Sequence, residues 1–216
     1  MGTGRCCLSH QGRISINIGT KSLLFGAHQF ILHPLFVFWG WWKLYGFPYD
    51  PRLWLAFIIH DWGYWGCPNM DGPEGKCHPY WAAMVMARWF GDEWGDECRL
   101  HSRTIAKHDF MSPSRLCAAD KMVTSLTPAW LYLPMVRMTG ELAEYMEQCS
   151  TTQWLELDPG QWYALLGQQT RAWAERFATW NNYGYTRPLH VDGQRRRNQR
   201  ATAGSAREVH SYRKDR

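Results

Sequence analysis

Residues 23–47, LLFGAHQFILHPLFVFWGWWKLYGF, form one almost unbroken apolar and aromatic run. The run has about the length of a membrane crossing. His28, Gln29, His33, Pro34 and Lys43 interrupt it, and imidazoles and a proline near the middle of a span are costly in lipid. The pattern therefore predicts a buried helix pair in a core. Residues 51–61, PRLWLAFIIHD, are nearly all apolar, which predicts a second buried helix. Helix starts are punctuated by Asp50-Pro51, Ser112-Pro113 and Asp158-Pro159. In each, a side-chain oxygen stands ready to accept an early helical N–H, and proline fits the first turn, where its missing N–H is not needed. Helices are predicted to begin at 51, 113 and 159. Residues 66–77, GCPNMDGPEGKC, are a loop by their glycines and prolines. Residues 78–90 and 94–108 read as helices. Residues 128–149 read as helix broken near Pro134 and Thr139-Gly140, and 159–182 as a long amphipathic helix. No stretch alternates with period two, and there is no hairpin signal or repeat. The fold class is all-α: an N-terminal segment over 1–20, one helical domain over 21–183, and a polar, Arg-rich, disordered tail over 184–216.

Composition sharpens this picture. A chain of 216 residues with 45% hydrophobic content suffices for one well-filled core, and 14 Trp, 10 Tyr and 9 Phe make that core bulky. The formal charge of +5 is uneven: residues 193–216 hold eight Lys or Arg and two acids, so the remainder is nearly neutral. Nucleic-acid binding is expected through the tail only. A mean hydropathy of −0.45 excludes a multi-pass membrane protein. The seven cysteines, at 6, 7, 67, 77, 98, 117 and 149, are odd in number and form no CxxC, which predicts free thiols in a reducing compartment. The start, MGTGRCCLSHQGR, has no apolar secretory stretch, and Cys6 stands where a myristoylation motif takes Ser or Thr. The expectation is a cytoplasmic protein without a membrane partner.

Candidate chemistry lies among the nine histidines. His60 and Asp61 end the apolar run WLAFII, where a carboxylate is costly unless it is paired or binds a metal. Gly63 follows and allows close backbone approach. One His-Asp pair says little, since composition alone gives about 0.4 by chance and His108-Asp109 is a second. The order says more: His33, His60-Asp61, His78, His101, Asp120, each on or at the start of a predicted helix. Asp120 sits in LCAADK, again a carboxylate where burial is expected. Cys67, Cys77 and His78 lack a fourth ligand for a structural zinc. The aromatic cluster Trp39, Trp41, Trp42, Trp62, Tyr64, Trp65, Trp81 and Trp89 reads as core, with Trp62, Tyr64 and Trp65 as candidates for stacking a base.

HPLFV at 33–37, FIIHDWGYWG at 57–66, EGKCHPYWAAMV at 74–85, RLHSRTIAKH at 99–108 and SRLCAADKM at 114–122 together resemble the HD superfamily of metal-dependent phosphohydrolases. The order H…HD…H…H…D resembles the members that hold two metals, and the resemblance covers roughly residues 23–130. It implies that His33, His60, Asp61 and Asp120 hold a first ion, and that His78 and His101 help hold a second, with Asp61 bridging. Asp61, His78 and His101 would then carry catalysis. The implied cofactor is one or two divalent ions, Mn²⁺, Fe²⁺, Co²⁺, Ni²⁺, Zn²⁺ or Mg²⁺. The implied activity is hydrolysis of a phosphomonoester, nucleotide or phosphodiester by a metal-activated water, with a small phosphorylated substrate as partner. Two alternatives accompany it. Some relatives are di-iron oxygenases. A non-catalytic, metal-stabilised helical module could also bind polyanions through the Arg-rich tail.

Two ligand choices stay open. His28 is the rival of His33. Five residues apart on a continuous helix, they would point about 140° apart, and HPxFV resembles the family's entry into its first ligand helix, which favours His33. His108 is the rival of His101, two turns along one face. HSR after an apolar-periodic stretch favours His101. The chain departs from the family at Tyr64, where many members carry the lysine of HDxGK. Tyr64 donates a hydrogen bond but brings no charge. Arg103, Lys107 and Lys121 are the remaining cationic candidates for contacting substrate, with Tyr64 and His108 as polar ones.

Overall fold

Helix boundaries follow capping chemistry, with informative exceptions. The computed structural model describes residues 17–148 and 157–182, in which every element is an α-helix or a short 3-10 turn. The fold is all-α. The expected tail over 184–216, most of the N-terminal segment, and Cys6, Cys7 and Cys149 lie outside the described residues. The helices are α1 (Ile18–Phe25), α2 (Leu32–Tyr45), α3 (Pro51–Ile59), α4 (Pro79–Phe90) and α5 (Asp92–Arg99), followed by α6 (Arg103–His108), α7 (Arg115–Leu126), α8 (Ala129–Thr139), α9 (Glu141–Gln148) and α10 (Pro159–Asn182). Two 3-10 turns, Trp62–Tyr64 and Gly75–Cys77, flank the loop between α3 and α4.

Two of the three expected caps act as such. Asp50 accepts the Arg52 N–H at 2.9 Å, and Asp158 accepts from Gly160 and Gln161 at 2.7 and 3.0 Å. The third moves by two residues. Ser114, not Ser112, caps α7 by accepting the Cys117 N–H at 3.2 Å, while its own N–H is held by the Leu100 carbonyl at 3.0 Å. That long-range bond places the helix start, and proline spacing does not reveal it. The helix expected over 94–108 is two helices. Ser102 is extended and caps α6, so the backbone turns at Leu100-His101-Ser102. The break expected at Pro134 is absent. α8 runs through it, with Pro134 on the exposed side next to exposed Trp130, where water can satisfy the carbonyl that proline leaves free. The other expected break is present: the chain turns at Gly140, whose φ is +89°.

The expected pair over residues 23–47 is α1 and α2, and it is only half buried. Val37, Trp41 and His33 face inward, whereas Leu35, Trp39 and Trp42 are exposed. Trp62, Trp65, Trp81 and Trp89 are exposed too, so the aromatic cluster read as core is largely surface, with Trp41 and Tyr64 its buried members. A 14-residue helix packed on one side presents its opposite face to solvent whatever residues it carries there. No described helix is long and apolar enough to cross a membrane.

The main core joins α2, α3, α4, α5 and α7 through Val37, Trp41, Phe57, Met86, Cys98 and Leu116. A second cluster joins α8, α9 and α10 through Tyr132, Val136, Leu142, Trp162 and Tyr163. A third seats α10 on α7 through Ala118, Met122, Ala174 and Phe177. α2 and α7 cross most closely at Gly40, where a Cβ would stand 2.6 Å from the Ala119 carbonyl oxygen. This crossing brings His33, two turns before Gly40, beside Asp120, the residue after Ala119. At Gly63 a Cβ would meet the His78 carbonyl oxygen at 1.9 Å, so the turn after Asp61 lies directly on the start of α4. The chain divides at Ala178 into a unit of residues 1–178 and a unit of residues 179–216. Of the latter only the end of α10 is described.

Candidate metal centre

Four helices begin or end at one point, and a fifth passes it. His33 is the second residue of α2, His60 and Asp61 follow α3, His78 caps α4, His101 lies in the turn after α5, and Asp120 is midway along α7. All six are buried.

The six make two sets of donor atoms that could hold a metal ion, and Asp61 belongs to both. In the first set, His33 Nε2 lies 3.2 Å from His60 Nε2, 3.1 Å from Asp61 Oδ2 and 3.2 Å from Asp120 Oδ1. His60 Nε2 lies 3.1 Å from the same Asp61 oxygen and 4.0 Å from Asp120 Oδ1. In the second set, His78 Nε2 and His101 Nε2 are 3.0 Å apart and stand 3.4 and 3.3 Å from Asp61 Oδ1. An ion with bonds of about 2.1 Å keeps neighbouring donors about 3 Å apart, so this spacing suits one. The His78 and His101 nitrogens at 3.0 Å, with both Nδ1 atoms engaged elsewhere, otherwise share at most one proton.

Ring tautomers agree with this reading. His60 Nδ1 is 3.0 Å from the Phe57 carbonyl, His78 Nδ1 is 2.7 Å from that of Gly75, and His101 Nδ1 contacts that of Cys98. Each acceptor lies three residues back. A carbonyl only accepts, so Nδ1 carries the hydrogen and the neutral ring presents a bare Nε2 to the cluster. His33 differs: its Nδ1 is buried without a partner. Asp61 Oδ2, buried among imidazoles, also has no hydrogen-bond donor. A buried carboxylate oxygen in that position fits a cation.

Charge is coupled across the cluster. Burial pushes the Asp61 carboxyl up, but the His60 and His28 rings beside it hold it well below the usual range. Asp120 is likewise held down against burial by Lys121, whose Nζ lies 2.8 Å from its outer oxygen, and by His33. Burial lowers His33, yet the Asp120 and Asp61 carboxylates beside it outweigh this and raise it to about 9. Burial and the neighbouring His101 keep His78 well below the usual imidazole range.

The other expected contact residues divide. Tyr64 is buried with its ring stacked on His78 at 3.9 Å, and burial followed by the Asp61 charge keeps its hydroxyl protonated far into alkaline pH. Lys121 reaches the cluster through Asp120. Arg103 is exposed, with its guanidinium over the Trp173 ring, and Lys107 is exposed. His108 is 85% exposed and paired with Asp109 at 2.9 Å. Among the described residues, no hydrogen bond or ion pair joins these three to the six. The break between α5 and α6 separates His108 from His101, which a continuous helix would have kept on one face. Trp62 stacks on Trp81, not on the cluster.

One neighbour is placed unexpectedly. The chain turns between α1 and α2, so the 140° separation of His28 and His33 does not apply. His28 approaches too, with Nε2 4.0 Å from Asp61 Oδ2 and ring centroids 5.3 Å from His33. Burial lowers its pKa to about 4, against the pull of Asp61. Behind it are Ser22 and Glu141, which no sequence pattern singles out. No disulfide joins the described cysteines, Cys67, Cys77, Cys98 and Cys117, to one another. Comparison with known protein families, curated proteins and solved structures returns no match.

Proposed function

We propose that the protein is an HD-type, metal-dependent phosphohydrolase acting on a small phosphorylated substrate such as a nucleotide. The observation that carries this reading is the Asp61 carboxylate, whose Oδ2 faces His33 and His60 while Oδ1 faces His78 and His101. That is the arrangement a bridging ligand needs. His33, His60, Asp61 and Asp120 would hold one divalent ion, and Asp61, His78 and His101 a second. Ions held there lower the pKa of bound water and neutralise phosphate charge.

The remaining work belongs to the chain. The carbonyls of Phe57, Gly75 and Cys98 fix three rings in the ligating tautomer. Lys121, with a side chain 36% exposed and paired to Asp120, is the cation at the edge of the cluster. It supplies the positive charge toward a substrate phosphate that Tyr64 does not. Tyr64 stays protonated, buttresses His78 and keeps bulk water from that side.

The test begins with metal analysis of the protein as purified. A panel of phosphomonoesters, phosphodiesters and nucleotides follows, with Mn²⁺, Co²⁺, Ni²⁺ and Mg²⁺, under air and under nitrogen. Release of phosphate or of the cleaved ester by wild type, independent of oxygen and absent in Asp61→Ala, is expected. Oxygen consumption without phosphoester cleavage would replace the hydrolase reading with an oxygenase one. Full activity in Asp61→Ala would overturn both.

A further inference from the structure

Aromatic rings crowd the outer surface where α2 gives way to α3. The Phe38 ring stacks on Trp54 with centroids 4.7 Å apart and meets Trp42 at 5.7 Å. Phe47 lies 5.9 Å from Trp42, 6.1 Å from Trp54 and 5.0 Å from Tyr49. Trp42, Phe47, Tyr49 and Trp54 are all exposed, Tyr49 to 87%, so the rings make one continuous apolar patch on the surface. Exposed Leu35 and Trp39 extend it back along α2. The patch is held in place. Gly46, with φ of +85°, lets the chain leave α2, and the Trp54 indole N–H donates to the carbonyl of buried Pro48 at 3.0 Å. A contiguous apolar patch of this kind marks an interaction surface.

Charge indicates which partner covers it. Between Ile31 and Ile59 the only acid is Asp50, and it is paired with Arg52 at 2.6 Å. Lys43 stands beside the patch, with Nζ 5.5 Å from the centroid of the Trp39 ring. Residues 183–216 add nine Lys or Arg against three acids. Phe177, six residues before that segment, packs against Leu44 and Tyr45 at the end of α2. Chain length alone keeps the start of the basic segment within about 20 Å of that end. An apolar face flanked by positive charge fits a surface that is anionic outside and apolar beneath. We propose that the protein docks on an anionic phospholipid bilayer through the face made by Trp42, Phe47, Tyr49 and Trp54, with Lys43 and the basic residues of 183–216 on the headgroups. Trp and Tyr rings settle at headgroup level, a lysine stem lies along them with its ammonium in water, and a basic segment supplies the second attraction that a small apolar contact needs. A second copy of the chain would bring two like-charged segments to one interface. Nucleic-acid bases need free ring faces, whereas Phe38 and Trp54 cover each other and Phe47 meets Trp42 at 88°. The sequence argues against a bilayer span, and a face of this kind lies on a bilayer without crossing it. Trp42 is nine residues beyond His33, about 13 Å along the helix axis, so docking leaves the His/Asp cluster outside the lipid.

The experiment sediments the full-length protein with vesicles of phosphatidylcholine alone and of phosphatidylcholine with phosphatidylglycerol, at low and high salt. Beside wild type stand Trp42→Ala, Tyr49→Ala and a triple variant, Arg195→Gln with Arg196→Gln and Arg197→Gln, each checked for folding by thermal unfolding. Wild type should bind the anionic vesicles about tenfold or more tightly than the neutral ones, and less tightly at high salt. Trp42→Ala should weaken binding about tenfold at either salt concentration. Tyr49, which is nearly all exposed, can be replaced without loss of fold, and Tyr49→Ala should act in the same direction if Trp42→Ala does not fold. The triple variant should lose most of the preference for anionic lipid. No sedimentation of wild type with anionic vesicles would overturn the proposal. Unchanged binding in folded Trp42→Ala and Tyr49→Ala would overturn the role of the face and leave the contact to charge alone. A dimer that forms without lipid and is lost in Trp42→Ala would assign the face to a second copy. Binding of single-stranded RNA that is lost in Trp42→Ala, with no binding to vesicles, would assign it to nucleic acid.

Discussion

In the second donor set, His78 and His101 each give Nδ1–H to the carbonyl three residues back, and Asp61 brings the only carboxylate. In the first, His60 is fixed in the same way, but His33 has no acceptor for Nδ1 and faces two carboxylates, Asp61 and Asp120. The sets also differ in what positions them. The first depends on the crossing of α2 and α7 at Gly40, and the second on the turns before α4 and after α5. Two sites that share a ligand can thus differ in charge and in scaffold. The first, with more negative charge, should hold a divalent ion more tightly.

Asp61→Ala attacks what the sets have in common and should have the largest effect. Metal content by mass spectrometry should fall from about two ions to about none, with hydrolysis at background. Retention of one ion would show that the sets are independent. Single removals come next. His78→Ala or His101→Ala should lose the weaker ion and keep the tighter one, whereas His33→Ala or Asp120→Ala should lose the tighter one. Chelator titration of wild type should remove the two in that order, and equal affinities would erase the predicted asymmetry.

Gly40→Ala is a subtler cut. Its Cβ would press on the Ala119 carbonyl, and overpacking of this kind costs about 1–3 kcal/mol. Thermal unfolding should record that loss, and weaker metal binding should be confined to the first set.

The smallest effect is read at two thiols, one in each scaffold. Cys98, whose carbonyl serves His101, and Cys117, one turn before Asp120, are both pushed up to about 12, chiefly by burial. Neither should react with a thiol reagent at pH 8 in the folded protein. An unfolded thiol loses its proton near its ordinary value of about 8.5, while these keep theirs to about 12. The folded state therefore binds more protons in that interval, and stability is undiminished below it. It should fall by up to about 1.4 kcal/mol per thiol for each pH unit across it. Faster labelling of Cys117 than of Cys98 in Gly40→Ala would localise the damage to the first scaffold.

Much of this molecule is legible as a string. Apolar runs, Asp-Pro caps and the absence of period-two alternation indicate helices, because these signals are local. The burial of Asp61 and Asp120 is legible for the same reason, since each lies inside an apolar or small-residue stretch. Other features were not. Ser114 and Ser112 are equally good caps by sequence, and a hydrogen bond to Leu100, fourteen residues back, decides between them. Pro134 reads as a break until the helix face it occupies is known to be exposed. The outer tryptophans read as core because hydrophobicity does not say which face of a helix has a neighbour.

The six-residue order could be written down from the sequence, because ligand types at helix ends and in apolar surroundings are properties of the chain itself. Which nitrogen each ring presents was decided by carbonyls that only the folded turns bring within reach. That Asp61 divides its two oxygens between two sets was decided by the crossing of α2 with α7 and the close approach at Gly63. His28 and Glu141 are 113 residues apart, and the ring comes within 3.8 Å of the carboxylate only because α9 returns to the turn between α1 and α2. Sequence fixes chemical types and local periodicity. Convergence at a point depends on helix crossings and turn geometry, which are set by packing between residues distant along the chain.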